Sequence, residues 1–85
     1  MLDDGGIVRV LALAEDLLEI TTFDDRGLVR IGWHLGNRHL PVQVMRHALR
    51  ILAEPAAEDL VQRLGGRAAP IRAAFEPEPG AYAHG

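Results

Sequence analysis

The sequence has 85 residues, which allows one small domain that buries only about 60% of the surface of its unfolded chain. Its hydrophobic content of 48% and charged content of 25% are typical of a folded protein. The net charge of −3 without a long basic run argues against nucleic-acid partners, and the absence of cysteine excludes disulfides and thiolate metal sites.

No apolar run approaches the roughly 20 residues of a membrane-spanning helix, and the N-terminus lacks the regions of a secretory signal. We therefore expect a cytoplasmic protein without a membrane partner. Serine and lysine are absent, so the only hydroxyls are those of Thr21, Thr22 and Tyr82. No HExxH pair and no glycine-rich phosphate loop occurs. These absences predict that the protein is not an enzyme.

The chain opens with a turn signal, Asp-Asp-Gly-Gly, followed by a β-rich run at residues 7–13. Residues 10–20 consist largely of good helix formers, and propensity alone favours a helix there. The pattern then becomes clearly helical after Asp24 or Asp25, either of which is a suitable N-cap. Apolar positions recur at i, i+3, i+4 and i+7, at Leu28, Ile31, Gly32 and Leu35.

This first helix is predicted to stop close to Leu35. Gly36 and Asn37 are the residues that most readily adopt a positive φ, and Pro41 cannot lie inside a helix. An exposed bend containing Arg38 and His39 should follow. Imidazole nitrogen is a suitable ligand for nickel, copper or zinc, so this bend is a candidate metal site.

Alternating apolar residues after the bend predict a hairpin that turns near Arg46 and His47, with a longer loop possible. Pro55 is placed to begin a second helix, which Gly65 and Gly66 would end. A last strand is expected near residues 68–73, where Pro70 indicates an edge or a bulge. An extended tail follows.

Two stretches of the sequence resemble one known family. Residues 33–44, WHLGNRHLPVQV, are similar to the signature of the urease accessory metallochaperones, the UreE family, in their C-terminal metal-binding domain. Residues 75–82, FEPEPGAY, resemble the closing motif of that family at the expected distance. The resemblance covers the chain from about Leu17 to its end.

The resemblance implies an α+β fold, a ferredoxin-like βαββαβ sandwich with an antiparallel sheet and two helices on one face. It places a strand near residues 17–22, against the helical propensity there, and we follow the resemblance. Residues 1–14 would then be a remnant strand or linker from a missing N-terminal domain. The metal-binding domain would span residues 15–75, and residues 76–85 would form an extended tail.

The resemblance also implies that His39 is the central metal ligand, contributed once by each subunit of a homodimer. A single imidazole holds a divalent ion poorly, so a two-fold axis would have to supply the second one. His84, in the tail, would add a weak ligand or none. Gly36, Asn37 and Arg38 would support the site by shaping the bend, although for Asn37 and Arg38 a helix cap and a solvated charge are equally good explanations.

The other histidines are weaker candidates. His34 is expected to be packed or hydrogen-bonded, and His47 to be solvent-exposed in the hairpin turn. Some family members carry two further histidines after the third strand, where this sequence has Ala53 and Pro55. The capacity for metal should accordingly be low, about one ion for each dimer.

The resemblance implies a nickel-binding metallochaperone that delivers Ni²⁺ to urease during assembly of the active site, with Zn²⁺ or Cu²⁺ able to bind in vitro. Its partners would be the urease apoprotein and other urease accessory proteins, including a GTPase. The alternative is a ferredoxin-like dimerisation or docking module with little or no metal binding.

Overall fold

A computed structural model describes residues 13–79 of the chain. It contains a four-stranded antiparallel sheet and two helices in the order βαββαβ. The strands are β1 (Ala14–Thr21), β2 (Gln43–Val44), β3 (Leu49–Leu52) and β4 (Arg67–Ala74), and the helices are α1 (Asp25–Asn37) and α2 (Pro55–Arg63). Across the sheet the strands lie in the order β2-β3-β1-β4. This is the predicted ferredoxin-like α+β fold.

Strand β1 occupies the centre of the sheet although its sequence contains many helix formers. It pairs along its whole length with β4, from Ala14 opposite Ala74 to Thr21 opposite Arg67, and on its other side with β3. Leu18 and Ile20 point into the core, whereas Leu17 lies on the opposite face of the sheet, between Leu52 and Ile71. Long-range pairing has overridden local propensity, as the resemblance implied.

Both helices pack on one face of the sheet. The side chains of α1 in the core are Leu28, Ile31 and Leu35, and those of α2 are Ala57 and Val61. Helix α1 begins where expected, because the Asp24 side chain caps it by accepting a hydrogen bond from the Gly27 N–H at 2.9 Å. Pro55 opens α2, as predicted.

Of the local predictions, the end of the first helix needed correction, whereas the position of the hairpin turn and the edge position of Pro70 are confirmed. Helix α1 continues to Asn37, two residues beyond the predicted stop at Leu35. The hairpin between β2 and β3 has a short turn at Arg46 and His47, closed by a hydrogen bond from the Met45 N–H to the Ala48 carbonyl at 2.9 Å. Strand β4 is an edge strand, which accommodates Pro70 as expected. The β-rich run at residues 7–13 lies, apart from Leu13, outside the described residues.

Candidate metal-binding corner

The end of helix α1 forms the corner that carries His39. The His39 N–H donates to the Gly36 carbonyl at 2.9 Å, and the Leu40 N–H donates to the Leu35 carbonyl at 3.1 Å. This pair of bonds defines a Schellman motif, in which the residue after the C-cap adopts a left-handed conformation. That residue is His39, with a φ of 61°.

The expectation that Gly36 or Asn37 would adopt a positive φ was therefore wrong. The left-handed residue is His39, three positions after Gly36. Leu35 is fully buried, and Leu40 packs against the same core cluster, so these two residues anchor the first and last positions of the motif. A hydrophobic contact between such positions commonly accompanies a Schellman motif, and it fixes which residue lies at the turn.

The residues predicted to form and support the metal site lie together at this corner. Gly36, Asn37, Arg38 and His39 are consecutive and exposed. Gly36 supports His39 through its carbonyl, and Arg38 is the C-cap residue of α1. Within residues 13–79, neither the Asn37 nor the Arg38 side chain makes a hydrogen bond to His39. Support from Asn37 and Arg38 by side-chain bonding thus stays a prediction.

The remaining histidines are separate from the corner. His34 is half-buried and contacts Trp33 edge to face, with ring centroids 5.0 Å apart. His47 is exposed in the hairpin turn, where its Nδ1 lies 3.6 Å from Oδ1 of Asp25. His84 lies outside the described residues. In the described part of the chain, no three or more His, Cys, Asp or Glu side chains come together as a potential metal site.

An open apolar groove of about 550 Å³ runs from this corner along α1 towards the β2–β3 hairpin. Sequence reasoning missed it. Gly36 and Leu40 line it near His39, and Val29, which is 73% exposed, and Met45 line it farther along. Trp33, off the buried stripe of α1, is 64% exposed. Part of the apolar surface of α1 therefore faces solvent beside the candidate metal site.

The closing motif docks against the strand that follows the corner. The Glu76 N–H donates to Oε1 of Gln43 at 3.0 Å, and the Glu78 N–H donates to the Val42 carbonyl at 2.7 Å. The closing motif thus docks through the backbone amides of Glu76 and Glu78. Sequence reasoning did not single out Gln43, because its contact joins residues 33 positions apart and no local pattern specifies it.

These features define the class of the protein as a ferredoxin-like α+β domain with an exposed histidine at a helix end. Residues 15–85 match the family model of the UreE urease accessory protein, C-terminal domain. Over 83 residues the chain is 54% identical to the urease accessory protein UreE of Rhodopseudomonas palustris strain HaA2 and 52% identical to that of Bradyrhizobium sp. strain ORS 278. It is 48% identical over the same length to that of Cupriavidus pinatubonensis.

The chain belongs to the UreE family of urease accessory proteins, as the two motifs indicated. These alignments cover 98% of this chain but only 39%, 40% and 38% of the three relatives, so the chain spans about two fifths of their length. The relatives are described as accessory proteins of urease, not as urease itself. No helix within residues 13–79 has the length and apolar character needed to cross a bilayer.

Proposed function

We propose that this domain is a non-enzymatic nickel metallochaperone that binds Ni²⁺ between two copies of the chain and delivers it to apo-urease. The observation that carries the proposal is the conformation of His39. A non-glycine residue with a left-handed backbone is strained by about 1–2 kcal/mol, and such strain tends to persist where function requires the side chain. Here it projects an imidazole from an exposed helix end.

The composition of the corner supports a site shared by two subunits. Because no group of three donor side chains exists within residues 13–79, one copy offers Ni²⁺ too few ligands there. An isologous contact through this corner places the two His39 side chains opposite each other. Two imidazoles together with water form an open site, and an open site exchanges its ion readily, as a carrier must.

Ligand chemistry sets the selectivity of this proposed site. Imidazole nitrogen binds nickel, copper and zinc, and in such a site Cu²⁺ is expected to bind more strongly than Ni²⁺. We therefore expect Zn²⁺ and Cu²⁺ to bind in vitro as well. Delivery of nickel in particular depends on the metal supply of the cytoplasm and on the urease apoprotein and accessory partners, including a GTPase.

We also propose a division of the chain that follows the bounds of the sheet. The pairing of β1 with β4 supports a metal-binding domain close to residues 15–75, although the sheet itself begins one residue earlier, with Ala14 opposite Ala74. In this division residues 1–14 are a linker or remnant strand from a further domain. Residues 76–85 are the tail, from which His84 supplies an auxiliary ligand.

One observation favours the second candidate function, a dimerisation or docking module without metal delivery. The apolar groove beside the corner, about 550 Å³ in volume, could bind a second copy or a partner whether or not metal is present. The two functions predict different behaviour. A docking module associates equally well with and without Ni²⁺, whereas a shared metal site couples association to the ion.

Calorimetric titration with Ni²⁺ at neutral pH tests the proposal. The wild-type chain should bind one ion for every two copies, and His39→Ala should weaken binding by more than about tenfold. The matched control is His47→Ala, which removes an exposed histidine away from the corner and should leave the affinity within about twofold. Circular dichroism verifies that each variant is folded.

Unchanged affinity in His39→Ala would refute the assigned role of that residue. Light scattering at saturating Ni²⁺ provides a second measurement, because a strictly monomeric nickel-bound chain contradicts a shared site. Association that is independent of both Ni²⁺ and His39 would support the docking module instead.

A further inference from the structure

The loop between β1 and α1 presents a fully exposed aromatic side chain far from the His39 corner. Phe23 is the most exposed of the large hydrophobic residues within residues 13–79. Helix α1 begins two residues later, at Asp25, and its 13 residues rise about 20 Å to Asn37. Contacts made at the His39 corner therefore leave Phe23 accessible.

Two hydrogen bonds fix the backbone of the loop that carries Phe23. Oγ1 of Thr22 donates to the Asp24 carbonyl, and the Gly27 N–H donates to Oδ1 of Asp24 at 2.9 Å. A Cβ at Gly27 would lie only 3.3 Å from Oδ1 of Asp24 and from Cβ of Thr22, so the loop packs closely on the first turn of α1. A residue whose backbone is already fixed loses little conformational entropy when a partner covers it.

Phe23 forms one wall of a cleft of about 500 Å³, which we call the Phe23 cleft. The residues that line it come from the β1–α1 loop and from the turn between α2 and β4, and they are Thr21, Thr22, Phe23, Gly65, Gly66 and Arg67. Phe23 is therefore not an isolated exposed side chain, which would carry no meaning by itself. Aromatic residues and arginine are enriched at protein–protein contacts, and here both types line one cleft.

The charge of the Phe23 cleft has one sign. Among the described residues, Arg67 is the one charged residue in the lining, and it makes no ion pair within residues 13–79. The two carboxylates that follow Phe23 along the chain are engaged elsewhere. Asp24 caps α1, and Oδ1 of Asp25 lies 3.6 Å from Nδ1 of His47. The cleft is thus complementary to a carboxylate.

The C-terminus of α2, which lies beside the cleft, does little to oppose an anion. Free carbonyl groups at a helix C-terminus carry partial negative charge. Here Nη2 of Arg30 donates to the Leu64 carbonyl at 2.9 Å, and the Gly65 N–H donates to the Gln62 carbonyl at 3.1 Å. Arg30 therefore adds a second guanidinium next to the turn that forms one wall of the cleft.

We propose that the Phe23 cleft docks a segment of another protein that presents an apolar side chain beside a carboxylate. The apolar side chain packs on the Phe23 ring, and the carboxylate pairs with Arg67. A second copy of this chain is a poorer occupant, because a two-fold contact through the cleft brings two Arg67 side chains together. The inference goes beyond the proposed metal site and does not depend on it.

A nuclear magnetic resonance titration of the isotope-labelled chain tests the proposal. The probe is the peptide acetyl-Glu-Leu-Glu-Phe-Glu amide, and the control peptide has lysine in place of each glutamate. We expect the acidic peptide to shift the backbone amide signals of residues 21–23 and 65–67, and the lysine peptide to leave them unchanged. Added salt should weaken the binding of the acidic peptide, because the contact with Arg67 is exposed.

Two substitutions separate the apolar and the charged parts of the contact. Phe23→Ser should weaken binding of the acidic peptide by at least about fivefold, as is typical of an aromatic residue at the centre of a contact. Arg67→Gln should weaken it by about 2- to 5-fold, the range for an exposed ion pair. Both side chains are exposed, so both variants should remain folded.

The matched controls remove the same residue types at other positions. Val29→Ser replaces another exposed apolar residue, and Arg72→Gln replaces another exposed arginine of β4. Each should leave the affinity for the acidic peptide unchanged. His39→Ala should also leave it unchanged, and a loss of binding in that variant would place the peptide at the metal corner instead.

Three further results would overturn the proposal. One is the absence of saturable shifts at the Phe23 cleft with the acidic peptide. Another is equal binding of the lysine peptide, which would mean that charge does not select the occupant. The last is a loss of self-association in Phe23→Ser, measured by analytical ultracentrifugation, which would identify a second copy of the chain as the occupant.

Discussion

His39 and Gly65 occupy the same position in two identical helix endings, with φ values of 61° and 86°. At the end of α2 the Gly65 N–H donates to the Gln62 carbonyl at 3.1 Å and the Gly66 N–H donates to the Val61 carbonyl at 2.9 Å. The end of α1 has the corresponding two bonds, from the His39 N–H to the Gly36 carbonyl and from the Leu40 N–H to the Leu35 carbonyl. Glycine is the usual residue at this position, so α2 ends without strain whereas α1 ends on a histidine at a cost.

His39→Gly should make the metal-free chain more stable while it abolishes Ni²⁺ binding. Relief of the left-handed strain contributes about 1–2 kcal/mol, and the added flexibility of glycine in the unfolded state offsets about 0.5–1 kcal/mol. We expect a net gain of about 0.5–1 kcal/mol. Urea unfolding in the presence of a chelator measures the gain. A loss of stability would contradict the assignment of strain to His39.

Gly65→His is the reciprocal substitution and introduces the same strain into α2. The free energy of unfolding should fall by about 0.5–1 kcal/mol. Because Gly65 follows α2 and a side chain there meets open space, no clash adds to this cost. Nickel affinity should stay within about twofold of the wild type. An unchanged free energy of unfolding would show that a histidine is tolerated in this motif without strain.

Two other glycines should respond in opposite directions to alanine. A Cβ at Gly66 would lie 2.5 Å from Cδ1 of Ile31 and 2.9 Å from Cγ1 of Val61, so Gly66→Ala forces the core to shift. We expect a loss of about 1–3 kcal/mol. A Cβ at Gly36, near the end of α1, meets no atom within 4 Å, and Gly36→Ala should stabilise the metal-free chain by about 0.5–1 kcal/mol. Thermal unfolding measures the stability of both variants. Equal changes in stability would contradict the prediction that Gly66→Ala destabilises and Gly36→Ala stabilises the chain.

Leu35→Ala should be among the costly substitutions in α1. Leu35 is fully buried, and its carbonyl accepts the Leu40 N–H that closes the corner. Truncation of a buried leucine costs about 2–5 kcal/mol, which is a large share of the stability of a domain this small. Leu52→Ala is the control, because Leu52 is 42% exposed on the opposite face of the sheet and should cost less than half as much. Denaturant unfolding of the two variants measures the difference.

Nickel binding should weaken steeply in mild acid. Metal binding requires neutral imidazole, and imidazole side chains in general titrate near pH ~6.5. Because each bound ion requires two neutral imidazoles, the affinity of a shared site should fall with the square of the fraction of neutral imidazole, whereas a site with one imidazole should lose affinity only in proportion to it. Titration calorimetry at pH values above and below this range provides the test. A loss of affinity that is only proportional to the fraction of neutral imidazole would indicate a single imidazole and argue against a site shared by two copies.

The sequence predicts those parts of the fold whose causes are local. Asp24 caps α1 because its carboxylate accepts a hydrogen bond only three residues away, and Pro55 begins α2 because its missing N–H is not needed there. Strand β1 has no such local cause. Its conformation is determined by partners 29–35 residues away on β3 and 46–60 residues away on β4, so only the family resemblance predicted it.

The candidate site was predicted by residue type but not by backbone conformation. Local preference assigns a positive φ to Gly36 or Asn37, because these residues adopt it at lower cost than histidine. The burial of Leu35 and the packing of Leu40 instead determine where α1 ends, and they place His39 at the turn. The docking of the tail on Gln43 depends on a contact between residues 33 positions apart, which no local pattern specifies.

The two outer strands of the sheet have a consequence for aggregation. Strand β4 contains Pro70, which has no backbone N–H to donate at that edge of the sheet. The exposed arginines Arg67 and Arg72 lie on either side of Pro70 in the same strand. Strand β2 is only two residues long, and the neighbouring Val42 carbonyl is already occupied by Glu78. Within residues 13–79, neither outer strand therefore offers a continuous row of free backbone donors and acceptors to an incoming strand. We expect these two strands to resist edge-to-edge pairing, so the proposed association of two copies would use side-chain surfaces rather than open strands.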